Sequence, residues 1–127
     1  MRHDLLADAF NIIKNSESMG IKECEIPASN LIRSILNIMQ DRKYIGKFEF
    51  VQFQGGRFKV ELAGRINNCN VIKPRFSVGK SGFIKWEKRF LPAHGLGILI
   101  LTTPKGVMDQ EQAKKEGTGG QLLGYVY

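Results

Sequence analysis

The residues with chemistry to offer in this chain gather near its C-terminal end, in TTPKGVMDQEQAKKEGTGG, from Thr102 to Gly120. Thr102 and Thr103 bring hydroxyls and Lys105 a cation. Gly106, Gly119 and Gly120 bring backbone amides that no side chain shields, and Gln121 adds a carboxamide just beyond. Hydroxyls and bare amides donate hydrogen bonds to phosphates and sugar hydroxyls without needing charge. An RNA duplex exposes 2′-hydroxyls and base edges in a shallow groove, which suits small polar groups of this kind. The same residues also suit an ordinary surface helix with a turn at each end. GTGG alone is a weak signal, and no GxxxxGK[ST] phosphate loop exists here.

The groups that catalysis would need are scarce. Cys24 and Cys69 are the only cysteines and His3 and His94 the only histidines. The cysteines lack CxxC spacing and are too few for a disulfide framework, so they read as small buried residues and a reducing cytoplasm fits best. Scattered in this way the four residues make no zinc site. His94 sits in PAHGLG, a turn, with no partner implied by spacing, and no carboxylate pair stands out. The expectation is therefore no enzyme, no cofactor, no metal and no small-molecule substrate. There is no apolar run of membrane-spanning length, and the opening Met-Arg-His-Asp does not read as a secretory signal.

Charge points to a polyanion. The chain carries 19 Lys+Arg against 12 Asp+Glu, a net +7. Residues 1–66 hold ten basic and eight acidic side chains, whereas residues 67–127 hold nine and four. Within the second half Lys73, Arg75, Lys80, Lys85, Lys88 and Arg89 are offset only by Glu87. Such clustering favours a binding face over a solvating coat, and phosphate-rich partners over neutral ones. Trp86, set among these cations, suits either stacking on a base or packing within a strand.

The elements that must position these groups follow from periodicity. Asp4 to Lys14 reads as a helix, with Leu5, Leu6, Ala9, Phe10 and Ile13 on one stripe. NSESMG breaks it, and KECEI has room for a short strand. Ser29 is an N-cap for a second helix carrying Leu31, Ile32, Ile35, Leu36, Ile38 and Met39, which ends near Gln40 to Lys43. KFEFVQFQGGRFKVEL, residues 47–62, reads as a hairpin turning at Gln54 to Arg57. A bulge near Phe50 to Phe53 would absorb a slip in its alternation.

GRINNCN marks a seam, which gives an N-terminal α/β domain over 1–66 and a β-rich domain over 67–127. In the second, strands are expected around Val71 to Phe76 and over FIKWEKRF, 83–90. GILIL, 97–101, reads as a strand buried on both faces, and QLLGYVY as a closing strand. Between the last two, Pro104 and Gly106 make a turn. Asp109 caps a two-turn helix with Gln112 as its capping-box partner, and Gly117 is the left-handed residue past its end. The fold class is thus α+β in two small domains. The first is α-β-α-β-β with helices on one face of a small sheet, and the second is mostly β with one short helix.

GILILTTPKGVMDQEQAKKEGTGGQLLGYVY resembles the C-terminal signature of the small-subunit ribosomal protein eight family. That signature is an apolar strand, a Ser/Thr-rich triplet, Gly-Val-Met/Leu, a short Glu-Ala-Lys/Arg helix, Gly-x-Gly-Gly and an ending such as Tyr-Val-Tyr. DLLADAFNIIKN and EIPASNLIRSIL resemble the family's two N-terminal helices, and IKPRF and KRFLPAHGLGILIL its archaeal and eukaryotic branch. The resemblance covers nearly the whole chain, with motifs in family order.

It implies a structural, cytoplasmic ribosomal protein that binds a helix in the central domain of small-subunit rRNA, supports subunit assembly and adjoins other small-subunit proteins. It implies RNA contacts at Thr102, Thr103, Lys105 and Gly106, then Gly119, Gly120 and Gln121, with further contacts at Lys14, Asn15, Ser29 and Asn30. Charge adds Lys73, Arg75, Lys85 and Lys88 to that set. The sequence departs from the family at Pro104, where a hydroxyl and an amide are missing from the triplet, at Gln121, where Glu is frequent, and at Leu5, where many members have proline. A charge-driven, nonspecific nucleic-acid binder is the alternative reading.

Overall fold

A computed structural model describes residues 5–52, 56–73, 75–79, 81–93 and 96–127. The expected helix start at Asp4, the hairpin tip at Gln54 and Gly55, Lys80 and His94 lie outside these residues. The chain divides into two compact units, Met1–Asn70 and Val71–Tyr127.

In the first unit the order is α1 (Leu5–Ser18), β1 (Glu23–Pro27), α2 (Asn30–Asp41), β2 (Ile45–Val51) and β3 (Arg57–Leu62). The strands form an antiparallel sheet in the order β1-β3-β2. Ile26, Phe58, Val60 and Leu62 point to the helices and are buried with Phe10, Ile13, Ile35, Leu36 and Met39. Glu25, Lys59 and Glu49, paired across the three strands, form a charged row on the other face. The α-β-α-β-β order is as the periodicity predicts.

Two details differ. The first helix does not stop at Lys14, because Ser16 falls on the stripe of Leu6, Ala9, Phe10 and Ile13 and is itself buried. The hairpin's register shift lies between Ile45 and Phe48; Phe50 and Val51, where the slip was expected to begin, pair regularly with Phe58 and Arg57, and Phe53 lies outside the described residues.

The second unit contains β5 (Ser77–Val78), α3 (Phe83–Phe90), β6 (Ile98–Thr103), β7 (Gly106–Asp109), α4 (Gln110–Glu116) and β8 (Gly120–Val126). With β4 (Cys69–Val71), which straddles the division, its strands run β4-β8-β6-β7, and β5 pairs with the start of β8. β6 is the centre. Leu99, Ile100 and Leu101 are fully buried, each side chain contributing about 2 kcal/mol of apolar burial. The β6–β8 register shifts by one residue between Ile100 and Leu101, leaving Leu123 bulged from β8. Its carbonyl accepts the Ile72 amide instead.

The α+β class holds, with two corrections to its parts. FIKWEKRF is a helix, not a strand, so this unit has two helices. Phe83, Trp86, Glu87 and Phe90 are spaced i, i+3, i+4, i+7 and share its inner face, whereas strand alternation would set Phe83 on the same face as Lys85, Glu87 and Arg89. Leu91 takes an extended backbone before Pro92, which ends the helix. Of the described residues in the expected strand over 71–76, only Val71, the end of β4, belongs to a strand, and β5 follows at Ser77–Val78. Lys73 and Arg75 are solvent-exposed, and position 74 lies outside the described residues.

Candidate nucleic-acid interface

The C-terminal stretch is built as a rim. β6 and β7 pair Thr103 with Gly106 and Thr102 with Val107, so Pro104 and Lys105 form the tight turn between them. On the other edge of β6, Thr102 lies opposite Gln121 of β8. The turn after β6 and the glycine-rich entry to β8 therefore share one end of the sheet, as the sequence implies. β5 closes the far edge of β8, with Val78 opposite Gly120 and Ser77 opposite Gln121.

The glycines make this closeness possible. A Cβ on Gly120 would collide with the carbonyl oxygen of Thr102, and one on Gly119 with the carbonyl oxygen of Val78. Here glycine is required by strand approach on both sides.

α4 spaces the two loops. Asp109 caps it, with a carboxylate oxygen accepting from the Gln112 amide at 2.8 Å, and Gly117 ends it with a left-handed φ of 66°. The Gln112 side chain donates from Nε2 to Glu116 Oε1 at 3.3 Å. Gln110, at the start of this polar helix, is only 2% exposed. β7 stops at Asp109 opposite Ile100, so the next β6 donor, the Leu99 amide, has no strand acceptor; Gln110 Oε1 accepts it at 2.8 Å.

The hydroxyls behave differently from one another. Thr103 is 9% exposed. Its Oγ1 donates to the Gly106 carbonyl at 2.8 Å and accepts from the Lys105 amide at 3.1 Å. Its hydrogen is thus engaged in holding the turn, and Thr103 shapes the loop from within. Thr102 is half-buried, and Gly106 and Gln121 are exposed. Lys105 reaches across the rim to Glu116, with Nζ 3.3 Å from Oε2 and 3.4 Å from the backbone carbonyl, tying the turn to the end of α4. Both side chains are largely in water, so the pair is worth little in stability but joins the two loops.

The remaining residues fall into two groups. Lys14 and Asn15 are exposed on α1, within the helix rather than at its end. Ser29 caps α2 by accepting from the Ile32 amide at 3.1 Å, and Asn30 is exposed beside it. These four belong to the first unit. In the second, Lys73, Arg75, Lys85 and Lys88 are exposed. Trp86 is buried in a ring stack, 4.8 Å from Phe76 and 6.2 Å from Phe90, so it offers no free face to a base. Arg89, absent from the expected contacts, lies over Phe76, Trp86 and Phe90 at 5.2, 5.5 and 5.4 Å.

No group of His, Cys, Asp and Glu among the described residues is placed to hold a metal. Burial pushes the Cys24 thiol up to about 11 and the Cys69 thiol to about 12, which keeps both from being nucleophiles near neutrality. No helix among the described residues is long and apolar enough to cross a membrane.

Comparison with known proteins gives the chain's relatives. The chain is 57% identical over 126 residues to the small ribosomal subunit protein uS8 of Methanococcoides burtonii, covering 98% of this chain and 97% of that one. It is 52% identical over 129 residues to the protein of the same name from Picrophilus torridus, covering both chains fully. Both relatives are archaeal, in keeping with the branch that IKPRF and KRFLPAHGLGILIL suggested. Residues 4–127 match the family model for ribosomal protein S8, and the chain belongs to that family, whose members are structural rather than enzymatic.

Proposed function

We propose that this protein is a structural component of the small ribosomal subunit which binds a helix in the central domain of its rRNA and supports assembly, with rRNA and neighbouring ribosomal proteins as its partners and the cytoplasm as its setting. The ribosomal role follows from family membership. The observation that carries the finer reading is the rim: Thr102–Gly106 and Gly119–Gln121, distant in sequence, share one end of the β6–β8 pair. Strand approach that excludes any side chain at Gly119 and Gly120 leaves flat backbone there. Flat backbone beside the half-buried Thr102 hydroxyl and the exposed Gln121 suits the shallow groove of an RNA duplex. In this reading Thr103 supports the turn, Lys105 ties it to α4, and the amides of Gly106, Gly119 and Gly120 approach the ribose-phosphate backbone. Lys14, Asn15, Ser29 and Asn30 add contacts from residues 1–66, and Lys73, Arg75, Lys85 and Lys88 add positive charge from residues 67–127.

Chemical footprinting of small-subunit rRNA tests it. The protein should protect one helix of the central domain at moderate salt. Protection spread evenly over the RNA, and lost as salt rises, would instead support a charge-driven binder.

A further inference from the structure

Helix α3 has a composition that the rim does not explain. Its inner face is Phe83, Trp86, Glu87 and Phe90, and its outer arc is Ile84, Lys88, Lys85 and Arg89. The single acid of the basic segment, Glu87, is turned inward, 7% exposed, and bound to Lys114 at 2.8 Å. The charges on the outer arc are therefore all positive, beside the exposed Ile84. No carboxylate among the described residues pairs with Lys85, Lys88 or Arg89.

Lys85 and Arg89 are one helical turn apart, where like charges repel. Both are held over aromatic faces: the Lys85 ammonium is 5.1 Å from the Trp86 ring centre, and the Arg89 guanidinium lies over Phe76, Trp86 and Phe90. The rings are themselves packed in series through Phe76, Trp86, Phe90, Tyr125 and Tyr127. A stack of this kind restricts the cations before any ligand arrives. A guanidinium so placed still has N–H edges that match phosphate oxygens.

We infer that the outer face of α3, carrying Lys85 and Arg89 over the Phe76–Trp86–Phe90 stack with the exposed Lys88 beside them, is a second RNA-binding surface that grips phosphate backbone without reading base or shape. This rests on the RNA reading given above and divides its labour. Neutral groups at the rim select the RNA, and fixed cations on α3 supply sequence-independent affinity. The partner is RNA rather than an acidic protein because the chain belongs to a ribosomal protein family and a guanidinium and ammonium groups with no carboxylate partner among the described residues suit phosphate oxygens.

The test measures binding of the full chain to a central-domain rRNA fragment and to a random-sequence RNA duplex across a salt series. The double variant Lys85→Gln, Arg89→Gln should reduce the salt slope by about two on both RNAs. The affinity lost between about 50 and about 200 mM salt should shrink about tenfold, with the preference for the rRNA fragment unchanged. Arg89→Lys alone should keep the slope that Arg89→Gln loses, which separates charge from packing. Near-UV circular dichroism of Trp86 monitors the stack.

An unchanged slope in the double variant overturns the inference and leaves the rim reading standing. So does loss of the rRNA preference in that variant, since α3 would then be reading shape. Displacement of RNA from the wild type by poly-glutamate at matched charge would assign the face to an acidic protein instead. A wild type that binds neither RNA sinks both readings.

Discussion

The rim and the outer face of α3 lie in the same small unit and solve opposite problems. At the rim and along α4, four polar side chains already have intramolecular partners. Thr103 bonds within its own turn, Lys105 holds Glu116, Asp109 caps α4 and Gln110 completes β6. On α3 Lys85 and Arg89 have aromatic faces beneath them, and no carboxylate among the described residues pairs with them. The first arrangement fixes a shape and the second a field. Shape discriminates among ligands and charge attracts them, so on the proposed function the two surfaces divide selection from affinity.

The sharpest way to break the comparison is Gly120→Ala. Its methyl would meet the Thr102 carbonyl, so β6 and β8 would have to part. A loss of about 3 kcal/mol in urea unfolding is expected, together with loss of rRNA preference. Unchanged stability would mean the strands have slack and the rim is not rigid.

Thr103→Val comes next. It removes a buried donor and acceptor from the turn while keeping its volume, leaving the Gly106 carbonyl and the Lys105 amide without this partner. About 2 kcal/mol of stability should go. Binding to the specific RNA should weaken more than binding to random RNA, as the truncation Thr103→Ala should also show. An equal loss on both RNAs would remove the turn from the selecting surface.

Lys114→Met probes the other side. It strands the buried Glu87 carboxylate beneath α3. A fully buried unpaired charge is severely destabilising, but Lys114 is 39% exposed and its attraction is screened in part. The expected loss is about 1.5 kcal/mol by thermal unfolding, with little change in rRNA preference. The smallest effect belongs to Asp109→Ala, which deletes the cap of α4 for about 1 kcal/mol. Asp109→Asn should recover most of it, and failure to do so would show that the carboxylate charge, not the cap, holds the helix.

Much of this was legible in the sequence because it is local. The cap at Ser29, the stop at Gly117 and the buried run at Ile98 to Leu101 each depend on residues within one or two turns. The helix over Phe83–Phe90 was readable too, since the spacing of Phe83, Trp86 and Phe90 and the following Pro92 all point to it. Its β-prone aromatics hid the period behind propensity. What could not be read is long-range. Glu87 finds Lys114 across 27 residues, and Arg89 reaches Phe76 only because α3 folds back on the chain before it. The hydroxyl of Thr103 looked free for a ligand because nothing in TTPKG announces that its hydrogen turns inward to Gly106.

The buried carboxamide of Gln110 has a mechanical consequence. By supplying the acceptor that a longer β7 would have given, it welds α4 to the central strand at the point where the backbone leaves the sheet. Rolling the helix then requires stripping an amide from β6, so fluctuations that would change the gap between the flanking loops are tied to partial opening of the core. Slow hydrogen exchange at Leu99, whose amide is held by a side chain rather than by a strand carbonyl, would be the signature of that weld.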